Sequence, residues 1–159
     1  MEFLNVEMTE KLYIKILIIS IILIIVYLGL TMSSLLIFKS YTLGPNTSVN
    51  DEIINTNIDV LETNGGKKLE IAGWAYKEGD KITTVNTNYV IKHQETGKMY
   101  MMRTKMEENI NLTDENLKLA GIHAQCLLIG IPKGRYDIYV LYQNAEEDIL
   151  SNTCIYFDI

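Results

Sequence analysis

One stretch limits this fold more than any other. From Ile16 to Phe38 the chain reads ILIISIILIIVYLGLTMSSLLIF, without a charge. A helix needs about 20 apolar residues to cross a hydrocarbon core of roughly 30 Å. The many isoleucines do not count against a helix in lipid, because the backbone has no water there and must bond to itself. A helix buried in a soluble core would show a polar stripe. This run offers only Ser20, Thr31, Ser33 and Ser34. It is also too long for the apolar region of a cleaved signal peptide, about 7–15 residues, and no small-residue cleavage site comes after it. The expectation is an uncleaved signal anchor over residues 13–38, after a cytoplasmic segment of residues 1–12. Tyr13 and Tyr41 flank the run as interfacial aromatics do, and Lys15 can reach the headgroups. Lys11 and Lys15 precede the run and Lys39 comes directly after it. The positive-inside rule then places the N-terminus in the cytoplasm and the C-terminal domain outside, at the cell membrane. The bilayer is the first expected partner.

The chain carries a net charge of −6. Up to Lys39 the lysines and glutamates cancel, so this charge belongs to the residues beyond Lys39. An acidic domain is a poor partner for nucleic acid, whose binding rests on neutralising phosphates. Residues 39–55, KSYTLGPNTSVNDEIIN, hold Gly44, Pro45 and several asparagines. This composition reads as a stalk.

Residues 56–159 read as a domain of short strands with turns between them. The strands are expected at 57–62, 68–76, 83–93, 98–106, 120–131, 136–143 and 152–159, where β-branched and aromatic residues gather. Residues 107–118 lack a period of two and read as a loop, with a helical turn capped by Thr113 or Asp114. About seven strands at this spacing predict an all-β domain, an immunoglobulin-like antiparallel β-sandwich, preceded by one transmembrane helix.

The residues offer little for catalysis. His93 and His123 have no serine or cysteine motif beside them. His93 precedes a turn and is expected to be exposed. His123 is expected to be a hydrogen-bonded structural residue. The acidic runs at Glu107–Glu108 and Glu146–Asp148 lack calcium-loop spacing and read as solvated loop charge. No metal, cofactor or enzymatic activity is expected. Cys126 and Cys154 allow a disulfide outside the cell. The reading preferred over it is two free, buried thiols on strands.

Trp74 is the single tryptophan, in LEIAGWAYKEGDK. Strict alternation puts Leu69, Ile71, Gly73 and Ala75 on one face and Glu70, Ala72, Trp74 and Tyr76 on the other. A bulge at Gly73 would swap the faces. Sandwiches of this size usually bury a tryptophan between their sheets. Two expectations stand side by side. Trp74 is a core plug, or it forms an outward aromatic platform with Tyr76.

Gly73-Trp74-Ala75, then Arg103, then Gly121-Ile122, then Gly134, Tyr136 and Ile138 together carry a resemblance. The chain over about residues 57–159 resembles the small β-sandwich accessory domains of bacterial cell-surface polysaccharide and teichoic-acid transferases. That resemblance implies a non-catalytic accessory or binding module in envelope glycopolymer assembly. It adds Arg103 to Trp74 and Tyr76 as a candidate binding platform for a cell-surface glycan. The alternative function is a structural subunit that docks on a partner membrane protein through its anchor and an open strand edge.

Overall fold

The computed structural model describes residues 10–36, 38–108 and 115–159. The chain divides between Leu35 and Leu36 into two compact units. The first holds all but the last residue of the helix α1, Glu10–Leu36. Its stretch Leu12–Leu30 is long and apolar enough to cross a membrane. The residues along that stretch are exposed.

The second unit is all β. Its strands are β1 (Lys39–Tyr41), β2 (Thr47–Val49), β3 (Ile54–Asn64), β4 (Lys68–Lys77), β5 (Asn86–His93), β6 (Met99–Met102), β7 (Thr104–Glu107), β8 (Gly121–Leu127), β9 (Arg135–Gln143) and β10 (Asp148–Asp158). One sheet runs β3-β4-β8-β7, and the other β1-β6-β5-β9-β10-β2. All pairings are antiparallel except that of β2 with β10. In chain order the first sheet has the A-B-E-D pattern of the immunoglobulin fold, and β5, β9 and β10 have its C-F-G pattern. Tyr136, at the start of β9, donates its hydroxyl to the Pro132 carbonyl at 2.7 Å. This is the tyrosine corner that the fold places there.

The two sheets enclose one core. β4 supplies Leu69, Ile71 and Ala75, and β8 supplies Ile122, Ala124 and Cys126. Tyr89, Ile91, Ile138, Val140 and Tyr142 face them from the second sheet. Each fully buried large apolar side chain contributes about 1.5–3 kcal/mol.

Three expectations change. Residues 39–55 are not a stalk. Phe38 and Ile54 are buried in the core, while β1 pairs with β6 and β2 with β10. These short strands occupy both edges of the second sheet and satisfy backbone groups that would otherwise be open. Second, the strand expected at 98–106 breaks at Arg103. Met102 pairs with Tyr89 in one sheet and Thr104 with Ala124 in the other, so the chain changes sheets there. The result is ten strands among the described residues, where the sequence suggests about seven. Third, the supposed loop 107–118 begins inside β7 with Glu107 and ends in a 3-10 turn, Glu115–Ala120. Thr113 and Asp114 lie outside the described residues.

Cys126 and Cys154 are both free. They lie on strands of different sheets, at positions equivalent to E and G rather than the B–F pair that immunoglobulin domains bridge. Cys126 is buried, and burial pushes its thiol up to about 11. Cys154 is exposed, against the expectation of two buried thiols. It lies where the β9–β10 register shifts, with φ 59°.

Candidate aromatic binding site

The site grows from the alternation of β4. Leu69, Ile71, Gly73 and Ala75 are buried, and Glu70, Ala72, Trp74 and Tyr76 alternate with them on the outer face. A bulge does exist beside Gly73, but β3 carries it. The register shifts between Ile58 and Val60, which leaves Asp59 as the extra residue. The β4 pleat is therefore undisturbed, and Trp74 stays outward. This overturns the core-plug expectation. The buried tryptophan of an immunoglobulin domain sits on strand C. Here the equivalent strand β5 fills the core with Tyr89 and Ile91 instead.

Gly73 makes the bulge fit. A Cβ there would overlap the Asn57 carbonyl oxygen and crowd Ile58 Cα. Thr56 fixes the same place from the other strand by donating its hydroxyl to the Trp74 carbonyl at 3.1 Å. On this foundation Trp74 and Tyr76 stack, with ring centroids 5.6 Å apart and planes 26° from parallel. Both are part-exposed.

The neighbours of the pair are set by register. Asn57 and Gly121 flank Trp74, and Asn55 is opposite Tyr76. Gly121 is level with Trp74 and is itself buried. A hollow of about 160 Å³ opens there, with Gly73 and Gly121 among its lining and Asp59, Glu107 and Glu108 around it. Beyond Tyr76 a larger hollow of about 650 Å³ lies against the turn Glu78–Lys81 and Leu117 and Leu119. Asp80 in that turn accepts hydrogen bonds from the Tyr142 hydroxyl (3.1 Å) and the Asn144 amide (2.8 Å). These bonds hold the turn to the second sheet.

A polar ladder runs along the rest of this face. His123 lies between two carboxylates, with Nε2 3.1 Å from Glu70 and Nδ1 3.6 Å from Glu107. Gln125 donates to Glu70 at 2.9 Å, and Lys68 is 3.2 Å from it. The bonds from Gln125, His123 and Lys68 hold the Glu70 carboxyl down at about 2. His123 is thus the hydrogen-bonded residue that the sequence suggests. His93 is not exposed as expected. It is buried at 2 %, with Nδ1 accepting from the Glu95 and Thr96 amides at 3.2 and 3.3 Å and Nε2 3.1 Å from the Lys133 carbonyl.

The structure brings Trp74 and Tyr76 together but leaves Arg103 elsewhere. Arg103 precedes Thr104, which pairs with Ala124, whereas Trp74 is level with Gly121. At roughly 3.3 Å per residue, that offset alone separates them by about 10 Å along the sheet. Arg103 marks the crossing between sheets. Sequence reasoning did not bring Asp59, Glu107 and Gly121 together at one place. Only the pairing of four strands assembles them, although the glycine that opens β8 was a visible signal of a bare strand position.

Comparison with protein-family models, with curated proteins and with solved structures finds no match for this chain.

Proposed function

We propose that this is a single-pass membrane protein with a cytoplasmic N-terminus and an extracytoplasmic β-sandwich. The sandwich is a non-catalytic module that binds glycopolymer during bacterial cell-envelope assembly. The observation that carries this reading is the outward Trp74–Tyr76 stack, whose Tyr76 lines the larger hollow. Part-exposed aromatics on a strand offer apolar contact area at little cost in side-chain entropy. Asn55, opposite Tyr76, offers a side-chain amide for hydroxyl groups, while Asn57, opposite Trp74, donates its own amide to Asp59. The resemblance to accessory domains of envelope transferases supplies the setting. Neither histidine stands free as a general base. His93 is engaged with backbone groups, and His123 faces two glutamates.

The docking reading has less support. The long edge strand β3 carries a bulge at Asp59 and a further charge at Glu62, and both features resist pairing with another strand.

The test is binding of purified envelope polysaccharide to the full chain in detergent micelles. Trp74→Ala is expected to weaken binding at least about tenfold, the equivalent of about 1.4 kcal/mol. Stability should stay within about 1 kcal/mol, because the side chain lies outside the core. Equal binding by both proteins, or binding by neither, would remove the reading.

A further inference from the structure

We infer that the outer face of the second sheet lies on the membrane that α1 crosses, with its β1–β6–β5 side held against anionic phospholipid headgroups. The inference rests on the membrane-spanning part of the reading above and does not depend on glycan binding.

A sandwich sheet that buries one face and wets the other alternates apolar and polar residues along its strands. The inner set here is regular. Tyr89 and Ile91 on β5, Ile138, Val140 and Tyr142 on β9, and Ile149 on β10 all enter the core. Alternation then turns Val90, Tyr139, Leu141 and Leu150 outward, and none of them is charged. Val90, Leu141 and Leu150 form a second apolar cluster apart from the main core, each at most 2 % exposed. Tyr41, Met99, Met101 and Tyr139 pack on it and stay part-exposed. Register makes these residues neighbours. Tyr41 is opposite Met99, Val90 lies between Met101 and Tyr139, and Leu150 is opposite Leu141. An apolar band therefore crosses the sheet from β1 to β10. The side chains left open to solvent suit lipid. Tyrosine gathers at membrane interfaces, and the flexible methionine side chain adapts to an irregular surface.

Two further observations name the occupant. The first is the tether. α1 ends at Leu36, Phe38 is already buried in the sandwich core, and β1 begins at Lys39. The chain from Leu36 to Phe38 reaches about 7 Å at most. β1 is an edge strand of this sheet, so the apolar band starts where the chain arrives from the bilayer. The second is the charge. β1, β5 and β6 contain no aspartate or glutamate, and Lys39 and Lys92 stand opposite Met101 and Met99 on the outer face. Lys92 Nζ lies 5.9 Å from the centroid of the Tyr139 ring. The carboxylates on the strands of this face, Asp137 and Asp148, belong to β9 and β10, farther from the tether. Asp137 already accepts from the Gln94 amide at 2.6 Å. Anionic headgroups attract the lysine side and repel the other. Two lysines at an anionic surface favour contact about thirtyfold. Trp74 and Tyr76 are on the outer face of the opposite sheet, so this seating turns them away from the lipid.

The experiment reconstitutes the full chain into vesicles of phosphatidylcholine and phosphatidylglycerol that include a lipid with a nitroxide on its headgroup. Trp74, the single tryptophan, reports the far face. A Trp74→Phe/Tyr139→Trp variant reports the near face. Its indole is three strands from β1, about 14 Å, so the tether alone does not bring it to the lipid. The indole of that variant should be quenched and Trp74 spared. Omitting phosphatidylglycerol, or adding Lys39→Gln and Lys92→Gln, should lower the docked-to-free ratio by about thirtyfold. Met101→Trp replaces Tyr139→Trp should the latter not fold. Quenching that ignores both phosphatidylglycerol and the lysines overturns the assignment of anionic headgroups. Quenching of neither indole overturns the seating on lipid and leaves glycan binding untouched. Blue emission from the Tyr139→Trp variant without quenching does so too, because a second protein surface then covers the face. Quenching of Trp74 alone overturns the seating and takes the glycan surface with it. Failure of the protein to float with the vesicles overturns the membrane-spanning reading beneath both.

Discussion

Replacing Gly73 with alanine is expected to destabilise the domain by about 3 kcal/mol, near the upper end for overpacking at a close contact. The reason is backbone against backbone. The added Cβ would overlap the Asn57 carbonyl oxygen, with Ile58 Cα 3.0 Å away. No side-chain rotation can relieve that. β3 must withdraw from β4, and its ladder runs along the strand from Ile54 to Asn64. Withdrawal would also strain the bond from Thr56 to the Trp74 carbonyl. The proposed glycan binding should therefore fall together with stability. Urea unfolding of the full chain in detergent, monitored by tyrosine circular dichroism, measures the effect. A loss below about 0.5 kcal/mol would show that the bulge at Asp59 yields freely and does not hold Trp74 in place.

Gly134→Ala is expected to have a similar effect, about 2–4 kcal/mol, through two costs that a cycle can separate. The backbone there has φ +145°, a region nearly closed to residues with a side chain. The new Cβ would also lie 2.6 Å from His93 Nε2. His93 cannot step aside easily. It is buried, makes hydrogen bonds through both ring nitrogens, and meets the Tyr136 ring edge-on at 4.9 Å. A double-mutant cycle with His93→Ala tests this account. The alanine at 134 should cost less when His93 is absent, because the clash is gone and only the backbone strain remains. Strict additivity would place the whole cost in the backbone.

Both glycines show what a sequence can and cannot reveal. The helix long and apolar enough to cross a membrane was legible because freedom from charge is a local property. The faces of β4 were also legible, since Leu69, Ile71, Gly73 and Ala75 alternate with polar and aromatic residues. A bulge near Gly73 was foreseeable, but not which strand would carry it. That depends on β3, and with it the direction of Trp74. The general habit of sandwiches to bury a tryptophan pointed the wrong way, because Tyr89 and Ile91 already fill the space on β5. His93 reads as exposed because it precedes a turn. Its cover comes from Lys133 and Gly134, distant in sequence. The break at Arg103 leaves no mark in KMYMMRTKM, whose strand propensity is continuous. β1 and β2 are too short to stand out from a Gly-Pro segment, and only the pairing partners Met99–Met101 and Asp148–Leu150 define them. The acidic hollow is hidden for the same reason. Asp59, Glu107 and Gly121 come together through the register of β3, β4, β8 and β7.

The most direct test of the account is the accessibility of Trp74 with and without glycan. Acrylamide suits it better than iodide, because the carboxylates around the site repel an anionic quencher. Trp74 is the single indole, so the signal comes from one position. In the free full-length protein its emission should be solvent-shifted and readily quenched, as for a part-exposed ring on the outer face. Saturation with envelope polysaccharide should shift it to the blue and protect it. Blue, quench-resistant emission in the free protein would contradict the outward placement, and quenching unchanged by polysaccharide would contradict the binding surface.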